Sequence, residues 1–463
     1  GLNGTLIYGF IPYGDSRHPM PVYFRSSTAI AGGRASIDIL GQLKGRYDMI
    51  GWEQSKRGTI GYRVVNQTGK FLYDGIITFT GNGPFETVPT IVEGPFVNMI
   101  TEQSAVISFT LNQKSAAIVK VGQTPFESPE RLVHEVKIDS LSANTEYTYS
   151  VNVGGGSYEF GLRTAPIPGA RTPFTFSYAS DSRSGNGGGE RDMWGANFYI
   201  MKRIMALNTD KKVAFMQFTG DLINGYLTNT QETDLQYANW KRSIQPFAHY
   251  FPVYAAMGNH EAVNRQFYSR EERVFISVDR FPYETESAEA VFGANFVNPL
   301  NGPSSEDGAT YDPDPQASDF PSYKENVFYY TYDNVGVVVL NSDYWYSPTS
   351  KNIQFVGGGL HGYIMDNQLE WLSGVLDAFE QDENIDHVFV SQHTPMFPNG
   401  GHVADDMWYN GDNSWRPYVA GKPLEQGIIE RRDQILDLLV NKSSKVIAVL
   451  TGDEHNYART EVG

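Results

Sequence analysis

From residue 174 onward, five short apolar runs each break off into a polar cluster. The runs are TFSYAS (175–180), KVAFMQFT (212–219), YFPVYAAM (250–257), HVFVSQ (387–392) and KVIAVLT (445–451). Behind them come Asp181-Ser182-Arg183, Gly220-Asp221-Leu222-Ile223-Asn224, Gly258-Asn259-His260-Glu261, His393, and Gly452-Asp453-Glu454-His455. Short β-branched and aromatic runs of this length read as buried strands. Two helix-period segments, FYIMKRIMALN (198–208) and DNQLEWLSGVLDAFEQ (366–381), fall between them. Alternating strands and helices predict an α/β domain over 174–463. Ligands of such sheets bind outside the carboxyl ends of the strands, so five polar strand ends predict one convergent site. Carboxylate and amide oxygens together with imidazole nitrogens suit Mn, Fe, Zn or Mg. The stretch VFYYTYDNVGVVVLNSD (327–343) reads as a hairpin turning at Asp333-Asn334. Residues 283–325, rich in Pro, Gly, Ser and acids, read as a long surface insertion.

Upstream, strand-like alternation replaces the mixed pattern. In residues 1–88 the runs RYDMIGWEQ (46–54), TIGYRVVN (59–66) and KFLYDGIITFTG (70–81) predict a small β domain, with NQTGK (66–70) as a hairpin turn. Asp15-Ser16-Arg17 repeats the tripeptide at 181–183, but its flanks do not match and chance explains it. Residues 89–165 carry SAVISFTL, AAIVKVG, LVHEVKI, EYTYSVNV and SYEFGLRT at β-sandwich spacing. Within them LSANTEYTYSVNV (141–153) resembles the fibronectin type III signature, with Tyr147 as the expected buried corner tyrosine. TAPIPGARTP (164–173) reads as a Pro-rich linker.

The chain has no cysteine, which excludes disulfides, Cys-ligated zinc and iron–sulfur clusters. With 36 Lys and Arg against 53 Asp and Glu, the formal net charge of −17 disfavours non-specific nucleic-acid binding. No apolar run approaches the ~20 residues of a membrane-spanning helix. The absence of cysteine and the appended β modules lead us to expect export, to the periplasm or the cell exterior. The chain opens on Gly1 rather than Met, as expected of a removed leader or of a boundary set within a longer chain.

The ordered set GD, GNHE, a strand-final His and G-x-x-H resembles the calcineurin-like metallophosphoesterase superfamily. The preceding fibronectin-like module makes the chain most similar to its purple acid phosphatase branch. The resemblance implies β modules followed by an α/β/β/α sandwich. It also implies two metal ions (Fe, Mn or Zn) holding a bridging hydroxide. By position, Asp181 and His455 would ligate the first metal, Asp221 would bridge both, and Asn259 and His393 would ligate the second. His260, unligated beside the substrate phosphate, would act as general acid. The implied activity is phosphoester hydrolysis, above all of small phosphomonoesters, with a phosphodiesterase or nucleotide hydrolase as the alternative.

Three positions depart from the family pattern. Arg183 stands where D-x-H or D-x-G is usual; it cannot ligate a metal and is expected to pair with phosphate oxygens. Asn224 replaces the tyrosine of the purple enzymes, which predicts no purple chromophore and offers an amide oxygen to the first metal. Asp453 replaces a histidine in the usual GHxH and is expected to ligate the metal that His455 does not, shifting preference toward harder ions. The changes at 183 and 453 also suit an extracellular binding protein that has lost catalysis. Glu261 and Glu454 are expected to support the ligands or face solvent. His361 and His402, in the loops GGGLHGY (357–363) and NGGHVADD (399–406), are candidates to line the pocket, with His402 taken as the substrate contact. SGNGGGER (184–191) lacks the Gly-Lys-Ser/Thr of a P-loop and reads as a flexible segment beside the metals. The sequons at Asn3, Asn66 and Asn441 occur at chance frequency. Only eight residues follow His455, whereas the family continues into further strands.

Overall fold

The structure, a computed structural model, describes residues 1–11, 22–45, 50–271, 273–348 and 353–462. Two compact units emerge. The first comprises Gly1–Ala165, Ser184–Ala214 and Ala238–Pro252; the second comprises Pro166–Arg183, Phe215–Tyr237 and Val253–Gly463.

In the first unit, Tyr23–Ile30, Gly4–Phe10, Arg57–Asn66, Phe71–Thr80 and Glu86–Val88 lie in that order in an antiparallel sheet. Its core gathers Tyr8, Phe10, Ile39, Leu43, Trp52, Ile60 and Phe79. The turn at 66–70 closes as expected: the Asn66 side-chain oxygen accepts from the Thr68 and Lys70 amides, at 3.0 and 2.9 Å. The described part of RYDMIGWEQ, residues 50–54, does not form the expected strand. Residues 46–49 lie outside the described residues, as does the tripeptide at 15–17, and Trp52–Ser55 is a single helical turn. Burial of one large ring outweighs alternation there. Trp52 packs edge-on against Phe79 and Phe85 and donates its indole N–H to the Leu43 carbonyl at 2.6 Å.

A second antiparallel sheet runs Gly156–Arg163, Glu146–Val153, Ala105–Val121, Ile91–Asn98, with Thr124–Ile138 also paired to Ala105–Val121. The runs SAVISFTL and AAIVKVG are thus halves of one strand, whose register against Thr124–Ile138 shifts between Thr110 and Ala117. The Tyr147 hydroxyl accepts from the Ser142 amide at 2.8 Å, as a corner tyrosine does, but its ring is half-buried; Tyr149 is the fully buried one.

The second unit contains two sheets. One is parallel and short: Ser177–Ala179, Met216–Phe218 and Val253–Ala255. The other runs Phe328–Tyr332, Val335–Val339, His387–Ser391, Val446–Leu450; its first pair is the predicted hairpin and the rest are parallel. Val335–Val339 is buried on both faces, as a run of valines in a parallel sheet should be. Aromatic rings fill the space between the sheets. Tyr254 stacks on Tyr330 at 3.8 Å, Phe176 meets Phe389 edge-on at 4.9 Å, and the Tyr330 hydroxyl donates to Gln217 Oε1 at 3.0 Å. Behind the second sheet, Asp366–Gln381 buries Leu372, Val375, Leu376 and Phe379 against Val338, Val388 and Val390. That spacing is one face of a helix.

The linker is tied down at its end: Asp333 accepts from the Arg171 and Thr172 amides, each at 2.7 Å. Residues 283–325 are not a surface insertion. They include the helix Ala288–Asn295 and bury Val291, Phe292, Glu306, Phe320 and Tyr323. Their polar composition misleads because the polar groups satisfy one another internally; Glu306 accepts from Tyr323 and from the amides of Asn367 and Gln368. The helix Thr230–Ala248 has no counterpart in the apolar pattern, since its buried positions include Gln236, Asn239, Arg242 and Ser243. No helix among the described residues is long and apolar enough to cross a membrane.

Candidate metal centre

The carboxyl ends of both sheets of the second unit deliver polar side chains to one place, on strained backbone. Asp181, Asp221, Asp453 and His455 all adopt left-handed φ, at 59°, 55°, 67° and 52°. Such conformations cost about 1–3 kcal/mol each in non-glycine residues and concentrate at functional sites. Gly220, at φ 104°, lets the loops close: a Cβ there would lie 2.7 Å from the Gly258 nitrogen and 2.8 Å from His393 Nδ1.

Asp221 is the centre, fully buried. Two groups of three share it: Asp181, Asp221 and His455; and Asp221, His393 and Asp453. In each, ligand atoms of all three residues lie within 4.8 Å of one another. His393 Nε2 is 3.2 Å from Asp221 Oδ1 and 3.5 Å from Asp453 Oδ1. His455 Nε2 is 3.4 Å from Asp181 Oδ1. His393 Nδ1 lies 2.9 Å from the Thr219 carbonyl, an acceptor only, so the ring proton sits there and the Nε2 lone pair faces the cluster. Asn259 donates its amide N–H to the Tyr226 hydroxyl at 2.6 Å, which turns its oxygen the other way. Among the described residues, Asp181 Oδ1, Asp221 Oδ2, Asn259 Oδ1 and His393 Nε2 are buried without a hydrogen-bond partner. Buried polar atoms are rarely left so. All four belong to the predicted ligand set, and the donor chemistry fits two metal ions.

Arg183 reaches into this set. Its Nη1 donates to His260 Nε2 at 2.6 Å, its Nη2 to His455 Nε2 at 2.9 Å, and its Nε lies 3.6 Å from Asp221 Oδ2. His260 holds its other nitrogen 2.7 Å from the Asn224 carbonyl. Burial lowers the His260 pKa to about 4, with the Arg183 charge adding to the effect. The ring is therefore neutral at pH 7. Asn224 meets His260 through its main-chain oxygen. His402 sits half-buried at the rim, 3.3 Å from Asp405 and 3.7 Å from Asp453.

Several residues carry more weight than their sequence context suggested. Glu261 does not face solvent. It is fully buried and accepts from four amides: Asp221 at 2.9 Å, Leu222 at 2.8 Å, Ile223 at 3.3 Å and Gly258 at 2.7 Å. It thereby locks two ligand loops together, and its place at the third helical position after Gly258 is a capping signal visible in the sequence. Glu454 does the same for the His402 loop, accepting from Asn399 and Gly401 at 2.8 and 2.7 Å. Tyr226 orients Asn259. His361 is buried between Asp343 and Asp453, at 2.6 and 3.0 Å.

Residues 192–457, more than half of the chain, match the family model described as calcineurin-like phosphoesterase. The match begins after Asp181 and Arg183 and contains every other residue of the centre. A search of the curated proteins found no match. Among solved structures, one of PhoD is 16% identical with a TM-score of 0.46, over 78% of this chain and 71% of that one. A purple acid phosphatase from yellow lupin (Lupinus luteus) seeds is 12% identical with a TM-score of 0.45, over 75% of this chain and 58% of that one. A dimetal phosphatase from Danio rerio is 14% identical with a TM-score of 0.34, over 61% and 82%.

Proposed function

The chain belongs to the calcineurin-like phosphoesterase family, and from that premise we propose that it is a two-metal phosphomonoesterase acting on a small phosphorylated substrate. The observation that carries this is the pair of ligand groups sharing Asp221, with unpartnered buried atoms on Asp181, Asp221, Asn259 and His393. Asp181, Asp221 and His455 would hold the first ion, with Asn224 its additional candidate. Asp221, Asn259, His393 and Asp453 would hold the second. Two such ions would supply Lewis acidity and lower the pKa of bound water. Arg183 presents fixed N–H donors to the phosphoryl oxygens. His260 begins neutral, with Nε2 facing the same space. A phosphate dianion beside it raises its pKa, and the imidazolium then protonates the leaving oxygen. Arg183 and His260 together favour a terminal dianionic phosphate over a diester. The half-exposed His402 contacts the substrate at the rim. The lack of cysteine and the β modules support a periplasmic or extracellular setting, and the net charge of −17 supports a non-nucleic-acid substrate.

The test is metal content and turnover on one chelator-free sample, with p-nitrophenyl phosphate against its bis-ester. At least two ions per chain and faster monoester hydrolysis are expected. No bound metal and no turnover after adding Mn, Zn, Fe or Mg would overturn the proposal. A second function is favoured by the direct contact of Arg183 with His455. There the guanidinium takes the first ion's place, and the protein binds phosphorylated ligands without hydrolysing them. Arg183→Ala separates the two: a gain of one metal supports the binding protein, whereas a fall in kcat/KM at constant metal supports the enzyme.

A further inference from the structure

Asp453 turns its two carboxylate oxygens to different partners. Oδ1 lies 3.5 Å from His393 Nε2, within the two-metal centre, and Oδ2 lies 3.0 Å from His361 Nε2. The same His361 nitrogen is 3.5 Å from Oδ1 of Asp406. His361, Asp406 and Asp453 are all buried, with ligand atoms within 4.8 Å of one another.

The tautomer of His361 is set from behind. Its Nδ1 meets Asp343 Oδ1 at 2.6 Å, while Asp343 Oδ2 accepts from the hydroxyls of Ser342 and Thr394, at 3.0 and 3.3 Å. A carboxylate so placed takes the Nδ1 proton, the arrangement that orients metal-ligating imidazoles. The Nε2 lone pair then points at two carboxylate oxygens. Asp406 is fully buried, and among the described residues neither of its oxygens accepts a hydrogen bond. A second proton on His361 resolves this only in part: its single N–H would be shared between Asp453 at 3.0 Å and Asp406 at 3.5 Å, and the second Asp406 oxygen would stay unpaired. A cation between the three side chains satisfies all of them.

We propose that His361 Nε2, Asp406 and Asp453 Oδ2 form a third cation site, adjoining the two-metal centre and sharing Asp453 with it. One imidazole with two carboxylates suits a divalent first-row ion, Mn²⁺ or Zn²⁺. His402 and Asp405 also group with Asp406, and His402 Nδ1 lies 3.7 Å from Asp453 Oδ2. This explains why a carboxylate stands at 453. A histidine there has one nitrogen for one ion, whereas an aspartate has an oxygen for each of two. The proposal rests on the two-metal reading for its shared ligand.

The test counts bound ions on the full chain, stripped with chelator, reconstituted with Mn²⁺ or Zn²⁺ and freed of excess metal by gel filtration. Three ions per chain are expected in the wild type and two in Asp406→Asn and in His361→Gln. Two in the wild type overturns the third site and leaves the two-metal centre standing. Three retained in both variants also overturns it. A single ion in the wild type that survives Asp221→Asn and is lost in Asp406→Asn supports the third site while refuting the two-metal centre. Because the wild-type count alone can refute the site, poor folding of a variant does not shelter it.

Discussion

The two sheets of the second unit supply the centre in different ways. At the end of the short parallel sheet, Asp181, Asp221 and Asn259 each follow their strand by a few residues, and Glu261 binds the Asp221 and Asn259 loops into one piece through four amides. At the end of the other sheet, His393 and Asp453 also follow strands, but His361 and Asp406 arrive from loops with no strand before them. The first side is three neighbouring strand ends, two of them clamped together. The second is assembled from four separate segments, and its clamp, Glu454, holds only the His402 loop. Strand ends aim their next residues by geometry alone, whereas loop residues are aimed by whatever packs around them.

The largest expected effect tests the residue common to both sides. Asp221→Ala removes the ligand shared by both groups of the two-metal centre, so both of its ions should be lost, leaving at most the one held by His361, Asp406 and Asp453; two or more ions retained by mass spectrometry would break the assignment. Next come the clamps. Glu261→Gln leaves about two of four amide donors facing an N–H₂ group and should cost about 3 kcal/mol in urea unfolding. Glu454→Gln, at the edge, should cost about 1 kcal/mol. Equal losses would erase the distinction between a rigid and an assembled side. Tyr226→Phe frees the Asn259 amide to turn, and metal affinity in chelator competition should weaken about tenfold without loss of fold. The smallest effect belongs to the rim: His402→Ala should raise KM about two- to fivefold, as loss of a partly exposed charge contact does, with metal content unchanged. A larger loss, or loss of metal, would place His402 inside the centre.

Much of this was legible along the chain because it is local. The apolar runs and the groups that follow them identify the strand ends, and the helix period of 366–381 is plain. Locality also misled. Trp52 left its expected strand for the core, and 283–325 looked like surface because its polar groups are satisfied by one another rather than by water. Glu261 could have been read from its capping position, while His361 and Asp406 gave no such signal.

By itself the sequence determined which side chains stand at strand ends, and so the candidate ligands and the family resemblance. Only the tertiary structure decided that Asp453 faces two ways, that Tyr226 fixes the Asn259 amide, and that Asp343, His361 and Asp406 meet behind the centre. The reason is distance along the chain. His361 and Asp453 are 92 residues apart, and their 3.0 Å contact exists because two loops are packed against the same sheet end.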